Sequence, residues 1–258
     1  EGYHNLVRLV SKGFLDGFHY KPRVDKALLR QHSEGLIALS ACLAGEIPRT
    51  LMGANKLITN GGTFDDAIRQ TQEYMDIYDG RFYLEVQANT LPDQATLNNK
   101  LLELAEHTKV PLVATNDCHY LNADDVEAHD VLLCIQTQAK VNDAKRMRFE
   151  ARDLYYKSAE EMEQAFKHIP EALSNTVRIA EECHVEMDFT HHYFPVYELP
   201  EGMTLSTEFQ RLAREGLKQR LELHPDRDTI DPKIYWDRLE MELKVICEMG
   251  FPGYFLIV

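Results

Sequence analysis

The sequence predicts an α/β protein built on a mostly parallel sheet or barrel, and two observations carry that prediction. Short apolar runs at 36–39, 81–86 and 112–114 have the length and composition of buried strands, and stretches with helical periodicity separate them. The order strand, helix, strand, helix, strand is how parallel neighbours are joined, because such strands need a crossover connection.

Bulk properties narrow the function classes. The 258 residues are 44% hydrophobic, enough for one large core or for one domain plus part of another. Asp and Glu number 42 against 28 Lys and Arg, a formal charge of -14, which excludes a generally basic surface that wraps nucleic acid. Any DNA contact must then be local. Five cysteines, Cys42, Cys118, Cys134, Cys183 and Cys247, are odd in number and form no C-x-x-C pair. That argues against a disulfide framework or a zinc ribbon and for a reducing, cytoplasmic setting. No run approaches the roughly 20 apolar residues of a membrane helix. The chain opens on Glu1 with a helical rhythm already under way and closes on an apolar run at 255–258 that reads as a strand. It is expected to be an excerpt of a longer polypeptide.

In chain order, a first helix near 3–12 leads to a loop in which Tyr20, Lys21 and Arg23 could grip an anion or simply face solvent. A helix at 25–32 is closed by Gly35. The apolar run 36–39 ends in the small residues Ser40, Ala41, Cys42 and Gly45, suited to close backbone approach. A turn at Asn60, Gly61 and Gly62 precedes a helix at 64–78, a strand at 81–86 and a helix at 91–107. After the third strand come a helix at 123–136, a strand candidate at 153–157, and a capping box at Ser158–Glu161 that opens another helix. Pro170 breaks that helix and a further one follows at 171–183. Periodicity is lost from 189 to 202, which marks a domain junction. Helices at 204–223 and 233–249 follow, the second ending at Gly250.

Chemistry is expected where the third strand stops. Val113-Ala114-Thr115-Asn116-Asp117-Cys118-His119 ends in a carboxylate and an imidazole two residues apart, which share one side if the backbone stays extended. At the carboxyl end of a parallel strand, that pair could face one metal ion, or it could form an ordinary turn. Cys42 stands at the equivalent place after the first strand and could supply a thiolate or be packed. Glu85, at the end of the second strand, is open to being a ligand, a base or a plain polar contact. His129 is expected on the polar side of its helix. Adjacent His191 and His192 point opposite ways in extended chain and are poor joint chelators. Asp226 and Asp228 resemble a two-metal pair but fall in a charged loop between helices.

Several stretches together carry a family resemblance: residues 113–121 (VATNDCHYL), 35–46 (GLIALSACLAGE), 20–25 (YKPRVD), 131–137 (VLLCIQT) and 249–258 (MGFPGYFLIV). They resemble the alpha subunits of bacterial DNA polymerase III, the C-family polymerases. The resemblance implies a polymerase and histidinol phosphatase (PHP) domain at 1–193, a distorted (β/α) barrel of metal-dependent phosphoesterase type lacking its first strands. It implies at 194–258 the start of the polymerase catalytic core, a mostly helical segment entering the palm. In that family a metal cluster is held at strand ends, and Cys42, Asp117 and His119 match ligand positions. The ion implied is zinc or manganese, with magnesium for polymerisation in the parent protein. The family's amino-terminal H-x-H and T-D-H segments do not occur here, nor do the catalytic aspartates of polymerisation, so no residue of this stretch is assigned to nucleotidyl transfer. Implied partners are a DNA primer-template with deoxynucleotides, a proofreading exonuclease subunit, and the sliding clamp and clamp loader through other regions. Within the resemblance the PHP domain is either a 3′-5′ editing phosphoesterase or a scaffold for a separate exonuclease. A free-standing PHP phosphatase is the alternative.

Overall fold

The computed structural model describes residues 1–55, 57, 61–191 and 195–258, in two compact units, Glu1–Val185 and Glu186–Val258. Two expectations fall partly outside the described residues: Asn60 of the glycine turn and His192.

The first unit is organised on a parallel sheet of β1 (Ala38–Leu39), β2 (Phe82–Gln87) and β3 (Leu112–Thr115), in the spatial order β1-β2-β3. Leu39 lies opposite Tyr83, Leu84 opposite Leu112, and Gln87 opposite Thr115. β2 is central, and Phe82, Tyr83, Leu84 and Val86 are all buried, as a strand covered on both faces requires. Among the described residues the sheet is open, with three strands, and does not close into a ring.

Helices supply the cover. α1 (Gly2–Leu15) and α2 (Lys26–Gln31) precede β1, and α3 (Glu46–Leu51) and α4 (Phe64–Ile77) lie between β1 and β2. α5 (Gln94–Thr108) carries the chain from β2 to β3. Ala67 and Ile77 of α4 and Leu97, Leu101 and Leu104 of α5 pack with Phe82, Leu84, Val86, Leu112 and Ala114 in one core. Each fully buried leucine contributes about 2 kcal/mol of transfer free energy. After β3 come α6 (Val126–Thr137), α7 (Ala159–Ala165) and α8 (Pro170–Glu182), and α8 packs on β3.

Local chemistry fixes the helix starts. Thr63 accepts from the Asp66 N–H while Asp66 accepts from the Thr63 N–H, so both donors at the start of α4 are satisfied. Ser158 and Glu161 do the same for α7, as their spacing predicts. α3 was not expected. Pro48 disguises it, yet at the third helical position a missing N–H breaks no hydrogen bond.

Two predicted strands are absent. Residues 153–157 make a single parallel bridge, Tyr120 to Tyr155, because their neighbour is the irregular chain after β3 rather than a strand. The run at 255–258 is not a strand: it belongs to α11 (Pro252–Ile257), with Pro252 at the first helical position. A short apolar run does not distinguish strand from helix, and a proline preset for the first turn decides it here.

The second unit is helical. α9 (Leu205–Glu222), α10 (Pro232–Glu248) and α11 pack together, with Phe209 against Phe255 at 5.8 Å between ring centres. Arg214 grips the Glu240 carboxylate with two hydrogen bonds, at 2.7 and 2.8 Å, tying α9 to α10.

Candidate strand-end site

Beyond Thr115 the backbone leaves the sheet. The Cys118 N–H donates to the Asn116 carbonyl at 2.9 Å, a tight turn centred on Asp117. The His119 N–H then donates to the Leu154 carbonyl at 2.8 Å, and the Asn116 side chain donates to the Tyr155 carbonyl. The chain after β3 is thus held by the 154–155 segment. This brings His119 Nε2 to 3.3 Å from Asp117 Oδ1, with both side chains about a third exposed. The expected pairing of Asp117 and His119 is present, produced by a turn and a tether instead of extended chain.

An aromatic group surrounds the imidazole. The His119 ring lies 4.6 Å from Phe149 and 5.6 Å from His129, and His129 lies 5.4 Å from both Phe149 and Tyr120. His129 therefore joins the site, although its helix periodicity placed it only on a polar face. Phe149 had no sequence signal, since it stands in a segment without periodicity and arrives by long-range packing.

Glu85 has the plainer of its readings. Its Oε1 accepts from Thr115 Oγ1 at 2.5 Å and from Gln87 Nε2 at 3.0 Å, while its own N–H donates to Ser40 Oγ at 2.9 Å. These bonds link the carboxyl ends of all three strands. Cys42 follows Ala41, whose φ of +64° turns the chain, and its carbonyl accepts from the Gly45 N–H at 2.8 Å.

No three His, Cys, Asp or Glu side chains gather around a common point among the described residues, so Cys42 does not join Asp117 and His119 in such a group. β1 and β3 lie on opposite sides of β2, about 10 Å apart at ordinary strand spacing, so Cys42 and the Asp117–His119 pair follow opposite edges of the described sheet. The donor set on this chain offers one carboxylate and one imidazole to an ion and does not by itself complete a site.

The remaining candidates lie elsewhere. Tyr20 is at a φ of +62° in an exposed loop, where Arg23 Nε donates to the Gly17 carbonyl at 3.4 Å. His191 Nδ1 pairs with Asp188 within an exposed turn. Asp226 and Asp228 sit in a charged turn, with Asp228 3.8 Å from Arg227 Nε. All five cysteines are free thiols.

Comparison with known proteins places these elements. Residues 1–89 match the PHP domain and residues 207–258 match the bacterial DNA polymerase III alpha NTPase domain. Cys42 lies inside the first match, and Asp117 and His119 lie beyond it. The whole chain aligns with DNA polymerase III subunit alpha of Borreliella burgdorferi at 42% identity, covering 21% of that protein. It aligns end to end with the subunit of the same name from Helicobacter pylori strain J99 at 38%, covering 22%, and from Thermus aquaticus at 35%, covering 25%. The chain spans about a fifth to a quarter of the length of these relatives. From its first residue to its last, with a PHP match followed by a polymerase III match, the chain is similar to the alpha subunits of bacterial DNA polymerase III.

Proposed function

We propose that this chain serves in template-directed DNA synthesis as part of a DNA polymerase III alpha subunit, its first unit being a PHP scaffold that precedes the catalytic core in the chain. The observation that supports the reading is continuity: one alignment at 42% identity covers every residue and runs through both family matches. A free-standing PHP phosphatase does not account for the polymerase III match at 207–258. The proposed division is a PHP domain over 1–193 and the entry to the polymerase core over 194–258. The open three-stranded sheet is then one sector of a distorted barrel, completed by strands from elsewhere in the subunit. Primer-template and deoxynucleotides are the proposed substrates. A proofreading exonuclease, the sliding clamp and the clamp loader are the proposed partners, and the cytoplasm is the proposed location. No helix among the described residues is long and apolar enough to cross a membrane.

A second reading is favoured by one contact, the 3.3 Å approach of His119 to Asp117. A carboxylate and an imidazole at a strand end are two donors that zinc or manganese accepts, and further ligands would have to come from the rest of the subunit. In an editing phosphoesterase, Asp117 would orient the His119 ring and hold its proton on the side facing the carboxylate. No step is assigned to this chain alone, because its donors do not close on an ion.

One experiment separates the readings. The full-length polypeptide carrying this chain is assayed for primer extension and 3′ exonuclease activity, and its metal content is measured by mass spectrometry, beside a variant with Asp117→Ala and His119→Ala. Primer extension by both proteins supports the polymerase reading, and its absence from the unsubstituted protein refutes it. Zinc or manganese that disappears in the variant together with exonuclease activity supports editing; no metal in the unsubstituted protein leaves the scaffold.

A further inference from the structure

Tyr20, Lys21 and Arg23 stand in the loop between α1 and α2, which no part of the strand-end site uses. The His19 N–H donates to the Lys21 carbonyl at 3.1 Å and the two residues form an antiparallel bridge, so the chain reverses at Tyr20. Tyr20 holds a φ of +62°, the left-handed region that a tyrosine seldom adopts, and is 89% exposed. Gly17 closes the base of the loop, since a Cβ there would lie 2.0 Å from the Arg23 carbonyl oxygen. The ring contact of Tyr20 is with His19, at 4.7 Å, and none of its surface enters the core. Strain at a residue the core does not use marks a displayed group.

The loop is a local exception to an acidic chain. Asp16 is spent on Lys12 at 2.9 Å, and Asp25 accepts from the Leu28 N–H as the cap of α2. Lys21 and Arg23 are exposed and have no carboxylate within ion-pair distance among the described residues; Arg23 Nε reaches the Gly17 carbonyl. Apolar surface adjoins these two charges. A cavity of about 470 Å³ is walled by Leu6, Val10 and Phe14 of α1 and by Val24, Leu36 and Ile37, and Arg23 is the charged group among its described lining residues. Phe14 stacks on Phe18 at 6.3 Å between ring centres, and both are more than half exposed, so aromatic surface runs from the cavity to the loop.

A ligand must satisfy both halves of this surface. Lys21 and Arg23 call for carboxylates or phosphates, and the cavity calls for an aliphatic or aromatic side chain. A polynucleotide would set polar base edges against Leu, Val and Ile, and the formal charge of -14 opposes it. A polypeptide segment meets both demands. We propose that this surface docks an acidic segment of a protein partner, with one apolar side chain in the cavity, carboxylates on Lys21 and Arg23, and the Tyr20 ring against the segment. The proposal stands apart from the polymerase assignment and uses neither Cys42 nor Asp117.

The test is fluorescence anisotropy of a short labelled peptide, Leu-Phe between runs of Glu, titrated with the full-length polypeptide at low and at physiological salt. Saturable binding that weakens with salt is expected. Arg23→Gln is expected to raise the half-saturating concentration about 10-fold, Phe14→Ala about fivefold and Lys21→Gln about threefold. Tyr20→Gly relieves the turn, so it is expected to weaken binding without lowering the urea midpoint, which separates display from folding. Lys218→Gln, an exposed charge on α9, is expected to change nothing. Equal titrations for Arg23→Gln and Lys218→Gln overturn the proposal, as does equal binding of a peptide with Ser-Ser in place of Leu-Phe. Oligothymidylate that displaces the peptide at a lower concentration than unlabelled peptide makes this a nucleic-acid surface and overturns the protein assignment. No binding by the full-length polypeptide means that the subunit's own chain covers the surface, and overturns docking. Primer extension by each variant, which the proposal does not require to change, keeps this result separate from the polymerase reading.

Discussion

Asn175 donates its side-chain N–H to the Leu112 carbonyl at 2.7 Å, fastening α8 to the first residue of β3. β3 is an edge of the described sheet, so this amide occupies a backbone acceptor that another chain could otherwise approach. Asn175→Ala leaves the carbonyl beneath α8 without its donor and is expected to cost about 1–2 kcal/mol in urea unfolding. Asn175→Asp, which sets a carboxylate against the same carbonyl, is expected to cost more. Equal stability of all three proteins would show that solvent satisfies Leu112 as well as Asn175 does.

α5 and β2 pack together in the core of the first unit. Leu101 and Leu104 are 0% exposed, so neither site has solvent into which a truncated side chain could relax. Leu104→Ala is expected to cost about 2–5 kcal/mol by urea unfolding, lost transfer energy plus a cavity. Leu102, on the outer flank of the same helix, is half-buried and is expected to cost less when truncated. A reversal of that order would place the core on the other face of α5.

The start of α4 depends on Gly62. Its φ of +107° is open to few side chains, and a Cβ built there lies 2.7 Å from Thr50 Cγ2 and 3.1 Å from its Cα. Gly62→Ala must therefore shift α3 or the turn, at an expected cost of about 1–3 kcal/mol. Thr63→Ala removes only the cap and is expected to cost about 1 kcal/mol. Urea midpoints compare the two, and a milder effect at Gly62 would refute the steric argument.

Most of this architecture was legible in the residues wherever one element carried its own signal. β3 stood out as an apolar run ending before Asn116, α4 and α9 announced themselves through periodicity, and α7 through its capping box. The failures share a cause, which is dependence on a distant partner. Residues 153–157 have strand composition but meet a loop, and 255–258 has strand composition but follows a helix-starting proline. The site divides the same way. Asp117 and His119, two residues apart, could be paired from local spacing alone. That Cys42 stays out of that pair depends on the path of the chain after β1 relative to the chain after β3, which local spacing does not encode. Phe149 reaches His119 across 30 residues of chain, through packing that no local pattern announces.

The pH response of the first unit should be governed in part by Lys26, which joins three helices. Its ammonium lies 2.9 Å from Glu46 Oε1 and 2.7 Å from Glu73 Oε2, and Tyr74 donates its hydroxyl to Glu46 Oε2 at 2.7 Å. Burial alone would lower the Lys26 pKa, but the Glu73 and Glu46 carboxylates outweigh it and the net direction is up. The hydrogen bond from Lys26 holds the Glu73 carboxyl below its ordinary value. A depressed carboxyl binds protons more readily when unfolded, so Glu73 contributes stability above its unfolded pKa of roughly 4.3. That contribution is lost as pH falls through the lower folded value. The raised Lys26 works in the opposite sense: its contribution is full below roughly pH 10.4 and is lost as pH rises through the folded value. Glu73→Gln is therefore expected to flatten the acid limb of a stability profile as pH falls below about 5, because one fewer group takes up a proton on unfolding. Lys26→Met removes the largest cause of the Glu73 shift, leaving only Arg30 beside it, and should flatten the same limb while also removing the Lys26 contribution at alkaline pH. Urea midpoints measured across that range decide the matter, since parallel curves for wild type and Glu73→Gln would mean that solvent screens the pair too well for it to influence folding.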